Sequence, residues 1–250
     1  MNLKNLFILI ISLICWTLSA EAETTESFFT HTEIQLHAEL ERQPANDDLW
    51  TVTFEHFSKW HYGDNFFFLD IEGEPNFKTQ ADTLYFEYAP RLSLDRLLDT
   101  KLIPHESIGE LYATVQYNES DQAFINRVWL YGLSVDLLGQ PHHGFSQVHL
   151  LIRQEETQAR ALQLTLAWGQ PFSLGQWRFV FQGFADYWYA DDQQVLLAEP
   201  QLRFPLANLV GDDHWLSKAA LGSEFELSRN FFGQDYGWEL NPTLFLVLPF

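Results

Sequence analysis

Along most of this chain apolar and polar side chains take turns, position by position. In the last stretch, Tyr236 to Phe250, alternate positions read Tyr236, Trp238, Leu240, Pro242, Leu244, Leu246, Leu248 and Phe250. The row between them begins polar (Gly237, Glu239, Asn241, Thr243) and turns apolar only at Phe245 and Val247. Successive side chains of a strand point to opposite faces, so this segment has one continuous apolar face. Its length suffices to cross a bilayer as a tilted strand.

The rhythm recurs upstream, and it predicts strands at His31 to Arg42, Leu49 to Lys59, Asp64 to Glu74, Asp82 to Leu94, Glu110 to Tyr117 and Asn126 to Leu137. Further strands follow at Ser146 to Arg153, Arg160 to Gly169, Trp177 to Tyr189, Gln194 to Leu206 and Leu216 to Arg229. With the closing segment that makes twelve, an even number, as bacterial single-chain barrels require. The expected fold is all-β: a transmembrane antiparallel up-and-down β-barrel spanning residues 23–250. Both ends then lie at the periplasmic side, and the external connections are short. The longest periplasmic connection, Asp95 to Ser107, is expected to hold a helical turn at Arg96 to Asp99. Tryptophans near strand ends (Trp50, Trp60, Trp168, Trp177, Trp215, Trp238) suit interfacial belts.

Composition supports a membrane barrel. Lys4, the apolar run Leu6 to Leu18 and Ala20-Glu21-Ala22 have the layout of a cleavable secretory signal, residues 1–22, which implies export. Cleavage there removes Cys15, the only cysteine, so thiol chemistry and disulfides are excluded from the remainder. No later segment approaches about 20 apolar residues, which excludes helical spans. A net charge of −20 argues against nucleic-acid binding. Aromatic residues make up 16%, as girdles at both membrane interfaces would need.

In a barrel, function resides on the inward face. Tracing the strands places Glu55, Asp70, Glu87 and Glu199 near mid-height, with Thr53, Tyr85, Gln116, Gln163 and Gln182 nearby and Phe66 and Phe68 just below Asp70. Arg91, Arg178, Arg203 and Lys218 fall toward the periplasmic end as a basic collar. Carboxylates and amides can accept from solute hydroxyls, and aromatic faces offer stacking worth about 1–3 kcal/mol per base. The expected ligand contacts are Glu55, Phe66, Phe68, Asp70, Tyr85, Glu87, Arg91, Glu199 and Arg203. The same charges can equally serve to pack the interior, with Glu and Arg satisfying one another.

Other constellations carry less. His142-His143 with His149 lacks the carboxylate or cysteine spacing of a zinc set. Ser134 and Asp136 share a face and His149 is on the next strand, but no further feature marks a hydrolase. No glycine-rich phosphate loop is present. Glu87 to Arg91 and Glu199 to Arg203 form an internal echo, each placing Glu and Arg four apart around a proline.

Three segments carry a family resemblance: Trp50-Thr-Val-Thr-Phe-Glu55-His-Phe57, Phe66-Phe-Phe-Leu-Asp70, and Phe86-Glu-Tyr-Ala-Pro-Arg91-Leu-Ser-Leu-Asp95-Arg-Leu97. They resemble the nucleoside-specific outer-membrane channel (Tsx/OmpK-like) family. Gly183-Phe-Ala-Asp-Tyr-Trp188 with Ala198-Glu-Pro-Gln-Leu202 is similar to a less characterised branch of it. The resemblance implies a monomer in the bacterial outer membrane that passes nucleosides by diffusion over weak sites. Glu55, Phe66, Phe68, Asp70, Glu87 and Arg91 are then the lumen-lining residues. Such passage requires no cofactor and no energy source, only contacts weak enough for the solute to leave. The alternatives are a narrow channel for another small polar solute, an outer-membrane barrel enzyme, and a non-conducting structural barrel.

Overall fold

The protein is described from a computed structural model over residues 28–43, 47–73, 83–121, 127–137, 144–156, 159–190, 192–231 and 237–250. The expected signal segment, Tyr236 and His142-His143 lie outside these residues. The strands are β1 Phe29–Arg42, β2 Asp47–Trp60, β3 Gly63–Gly73, β4 Thr83–Tyr88, β5 Arg91–Ser93, β6 Ile108–Ser120 and β7 Val128–Leu137. They continue as β8 Phe145–Glu155, β9 Ala161–Leu174, β10 Trp177–Ala190, β11 Gln193–Ala198, β12 Gln201–Pro205, β13 Ala220–Arg229 and β14 Trp238–Pro249. Each pairs antiparallel with its neighbours, and β14 returns to pair with β1, from Glu33 opposite Pro249 to Glu39 opposite Thr243. The sheet is therefore closed.

Two proline breaks explain why fourteen segments make twelve staves. Pro90 separates β4 from β5 and Pro200 separates β11 from β12; each proline lacks the N–H that a central ladder needs. Both halves of each broken stave run along the same two neighbours: β3 and β6 for the first, β10 and β13 for the second. The wall is a twelve-stave antiparallel barrel.

Burial is inverted relative to a soluble protein. Glu33 and Gln35 are 1% exposed and Asn241 2%, whereas Leu162 is 61% and Leu244 70% exposed. Apolar residues face outward and polar ones line the bore, the alternation that the closing strand announces. Trp50, Trp129 and Trp238 start strands at one rim, while Trp60 and Trp177 mark the other, and all are exposed. The bore also has apolar fillings. Val128, Leu130 and Leu151 form one, Ala161, Trp188, Ala190 and Val195 a second, and Ala220, Phe245 and Val247 a third.

Two local expectations are corrected. The helical turn expected at Arg96 to Asp99 is helix α1, Leu94–Leu97, because the Ser93 hydroxyl caps it by accepting from the Arg96 N–H at 3.2 Å. The strand expected from Leu216 begins only at Ala220. Helix α2, Ala207–Val210, and a 3₁₀ turn, Trp215–Lys218, precede it, and His214 Nδ1 accepts from the Leu216 N–H at 3.1 Å.

Candidate lumen site

Four inward arginines sit in two tiers. In the tier nearer the chain ends, Arg91 on β5 donates to both Asp64 oxygens, at 2.8 and 2.5 Å, to Asp136 at 2.7 Å and to Ser134 at 3.0 Å. Its guanidinium also lies over the Tyr112 ring, 4.2 Å from the centroid. Arg203 on β12 donates to Glu33 at 2.8 Å and to Gln201. In the opposite tier Arg42 meets Glu226 at 2.5 Å and Glu39 at 3.4 Å. There Arg153 meets Glu155 at 2.5 Å and stacks over Trp188. These bonds are charge-assisted and mostly buried, so the arginines brace the wall.

The collar expected from sequence is half formed. Arg91 and Arg203 occupy it, but Arg178 starts β10 in an exposed pair with Asp212 at 2.7 Å. Lys218 is exposed on the 3₁₀ turn.

Between the tiers the chemistry changes. Asp70 accepts from the Thr53 hydroxyl at 2.5 Å, Asp186 from Thr165 at 2.5 Å, Glu224 from Gln201 at 2.5 Å and Glu55 from Gln35 at 3.2 Å. Glu87 accepts from Tyr85 and, at 2.7 Å, from Asn118. Glu199 has no side-chain partner among the described residues. None of these six carboxylates has an arginine or lysine within ion-pairing distance among the described residues, whereas every interior arginine is paired. Phe66, Phe68 and Tyr85 accompany them, with ring centroids 6.0 Å apart for Phe66–Phe68 and 5.8 Å for Phe68–Tyr85. The result is an acidic, aromatic waist between two tiers braced by arginine–carboxylate pairs.

Of the expected contacts, Glu55, Phe66, Phe68, Asp70, Tyr85, Glu87 and Glu199 are half-buried on the inward face. Arg91 and Arg203 are buried and committed to carboxylates. Trp188 under Arg153, and Asp186 with Thr165, belong to the lumen as well. Alternation along β10 predicts Gln182 and Asp186 on the inward row, and Trp188 is the next residue of that row.

Ser134, Asp136 and His149 are not hydrogen-bonded to one another among the described residues. Ser134 and His149 are paired in register, yet Ser134 accepts from Arg91, and Asp136 is bound by Arg91 and Tyr112. His149 contacts Gln116 and Gln147. No group of three or more metal-ligating side chains occurs among the described residues.

The sequence matches, over residues 31–250, the family described as Domain of unknown function (DUF5020). No curated protein matches it. Among solved structures it is similar to one titled KdgM porin, with a TM-score of 0.48 and 4% identity, covering 88% of this chain and 98% of that one.

Proposed function

The chain belongs to the DUF5020 family, and from its closed barrel and acidic waist we propose a passive outer-membrane channel for small polar solutes, with nucleosides as the substrate class. The observation that carries this reading is the division of charge within the bore. Arginines pair with carboxylates at both tiers, while the waist keeps carboxylates with neutral partners or none. A packing role alone would favour mutual pairing throughout, since an unpaired buried carboxylate is costly. Carboxylates left to solvent instead accept hydroxyl donors from a passing solute, and the Phe66, Phe68 and Tyr85 faces suit a flat ring. Anionic phosphates are repelled there.

Each contact is weak and shared with water, so the solute leaves as readily as it enters. No cofactor takes part, and the chain acts as a monomer whose other partner is the surrounding lipid. Swelling of proteoliposomes loaded with impermeant polymer tests the reading. Nucleosides are expected to enter faster than a sugar of similar mass. Equal rates for both would reduce the protein to a general narrow pore, the second reading. That reading is favoured by the apolar fillings, which narrow the bore without selecting a solute.

A further inference from the structure

The two proline-broken staves stand six apart in a ring of twelve, hence on opposite sides of the bore. The resemblance extends well beyond the breaks. Thr53 donates to Asp70 across staves two and three; Thr165 donates to Asp186 across staves eight and nine, each at 2.5 Å and each between residues directly opposite in register. On stave one His37 contacts Gln35 at 2.9 Å; on stave seven His149 contacts Gln147 at 3.4 Å. Glu87 and Arg91 flank the first break, and Glu199 and Arg203 flank or follow the second. Each broken stave leads into a short helix, α1 or α2. The pairs Gln35–Gln147, His37–His149, Thr53–Thr165, Glu87–Glu199 and Arg91–Arg203 all have one and the same separation in sequence. Asp70–Asp186 and Phe68–Phe184 share a second separation, four residues longer.

We propose that the barrel consists of two copies of a six-stave unit, and that the solute path therefore has a second contact station. It comprises Thr165, Phe184, Asp186 and Glu199, facing the station of Thr53, Phe68, Asp70 and Glu87 across the bore. Phe184 lies on the inward row of β10 with Asp186, as Phe68 lies on that of β3 with Asp70. The stations converge, because Glu87 is within electrostatic reach of both Asp186 and Glu199. They are not identical. The place of Tyr85, which holds Glu87, is taken by Leu197 in the second unit, and Glu199 is left free to accept from a solute. This inference rests on the proposed passage of polar solutes and assigns to it two stations in place of one.

The test uses the full-length protein in planar bilayers, with two readouts. The first is reversal potential in a potassium chloride gradient; the second is block of the current by a nucleoside. Asp70→Asn and Asp186→Asn are expected to weaken cation preference equally, within about twofold, because each removes one carboxylate from the equivalent register position of its unit. Phe68→Ala and Phe184→Ala are expected to weaken block by similar factors. Thr53→Val and Thr165→Val, which leave the charge in place, provide the comparison if an aspartate variant fails to fold. Effects confined to one member of each pair overturn the second station. Matched shifts in reversal potential without any nucleoside block retain the two stations for cations and overturn the nucleoside reading. A folded barrel that passes no current overturns both.

Discussion

Replacing Arg91 by methionine separates a wall brace from a solute contact. The guanidinium makes two bonds to Asp64, one to Asp136 and one to Ser134. Its removal leaves Asp64, itself 2% exposed, without a cation. Breaking one side of such a buried pair costs about 3–5 kcal/mol, because the remaining charge keeps its desolvation penalty. Asp136 is more accessible and recovers part of its solvation, which argues for the lower half of that range. Removing both partners, Arg91→Met with Asp64→Leu, deletes the stranded charge. The double variant is therefore expected to regain most of the loss, leaving a coupling of roughly 2 kcal/mol between the sites. Urea unfolding in lipid vesicles, followed by tryptophan fluorescence, measures both. A single variant within about 1 kcal/mol of the parent would show the pair to behave as a solvated surface one and refute the bracing argument.

Gly183→Ala is expected to destabilise by about 2–4 kcal/mol in the same assay. Gly183 has φ +146°, and a Cβ there would stand 2.3 Å from the Glu199 carbonyl oxygen. Gly175→Ala, at φ +61° but in open space, should cost only the backbone term, about 1 kcal/mol. Leu244→Arg puts a charge on the lipid face of β14 and is expected to cost about 2–4 kcal/mol near mid-membrane. Phe68→Ala removes one stacking face and should raise the nucleoside concentration needed for half-block about tenfold, at about 1–3 kcal/mol per stacked base.

Strand number and facing were legible because a closed barrel with an apolar exterior and a polar bore forces each stave to alternate. The row Leu240, Leu244, Leu248 is greasy for that reason alone. Proline positions were visible too, but that they split staves without ending them depends on β3, β6, β10 and β13 continuing past the break. Trp215-Leu216 looks like the start of a strand, and only the His214 cap turns it into a 3₁₀ helix. The site was half readable. Inward carboxylates followed from parity, but their partners depend on how staves stagger around the ring. Arg203 reaches Glu33 from nearly the other end of the chain, and Arg91 reaches Asp136 two staves away. Nothing local in either segment specifies those meetings. The internal echo was likewise visible only at its proline breaks, because Thr53–Asp70 and Thr165–Asp186 share geometry with little surrounding sequence.

Single-channel recording of the purified protein in a planar bilayer tests the central claim most directly. A water-filled bore with an uncompensated acidic waist predicts discrete, cation-preferring current steps that nucleosides interrupt at concentrations where glucose has no effect. A folded barrel that inserts yet gives no steps, or whose steps favour anions, would contradict it.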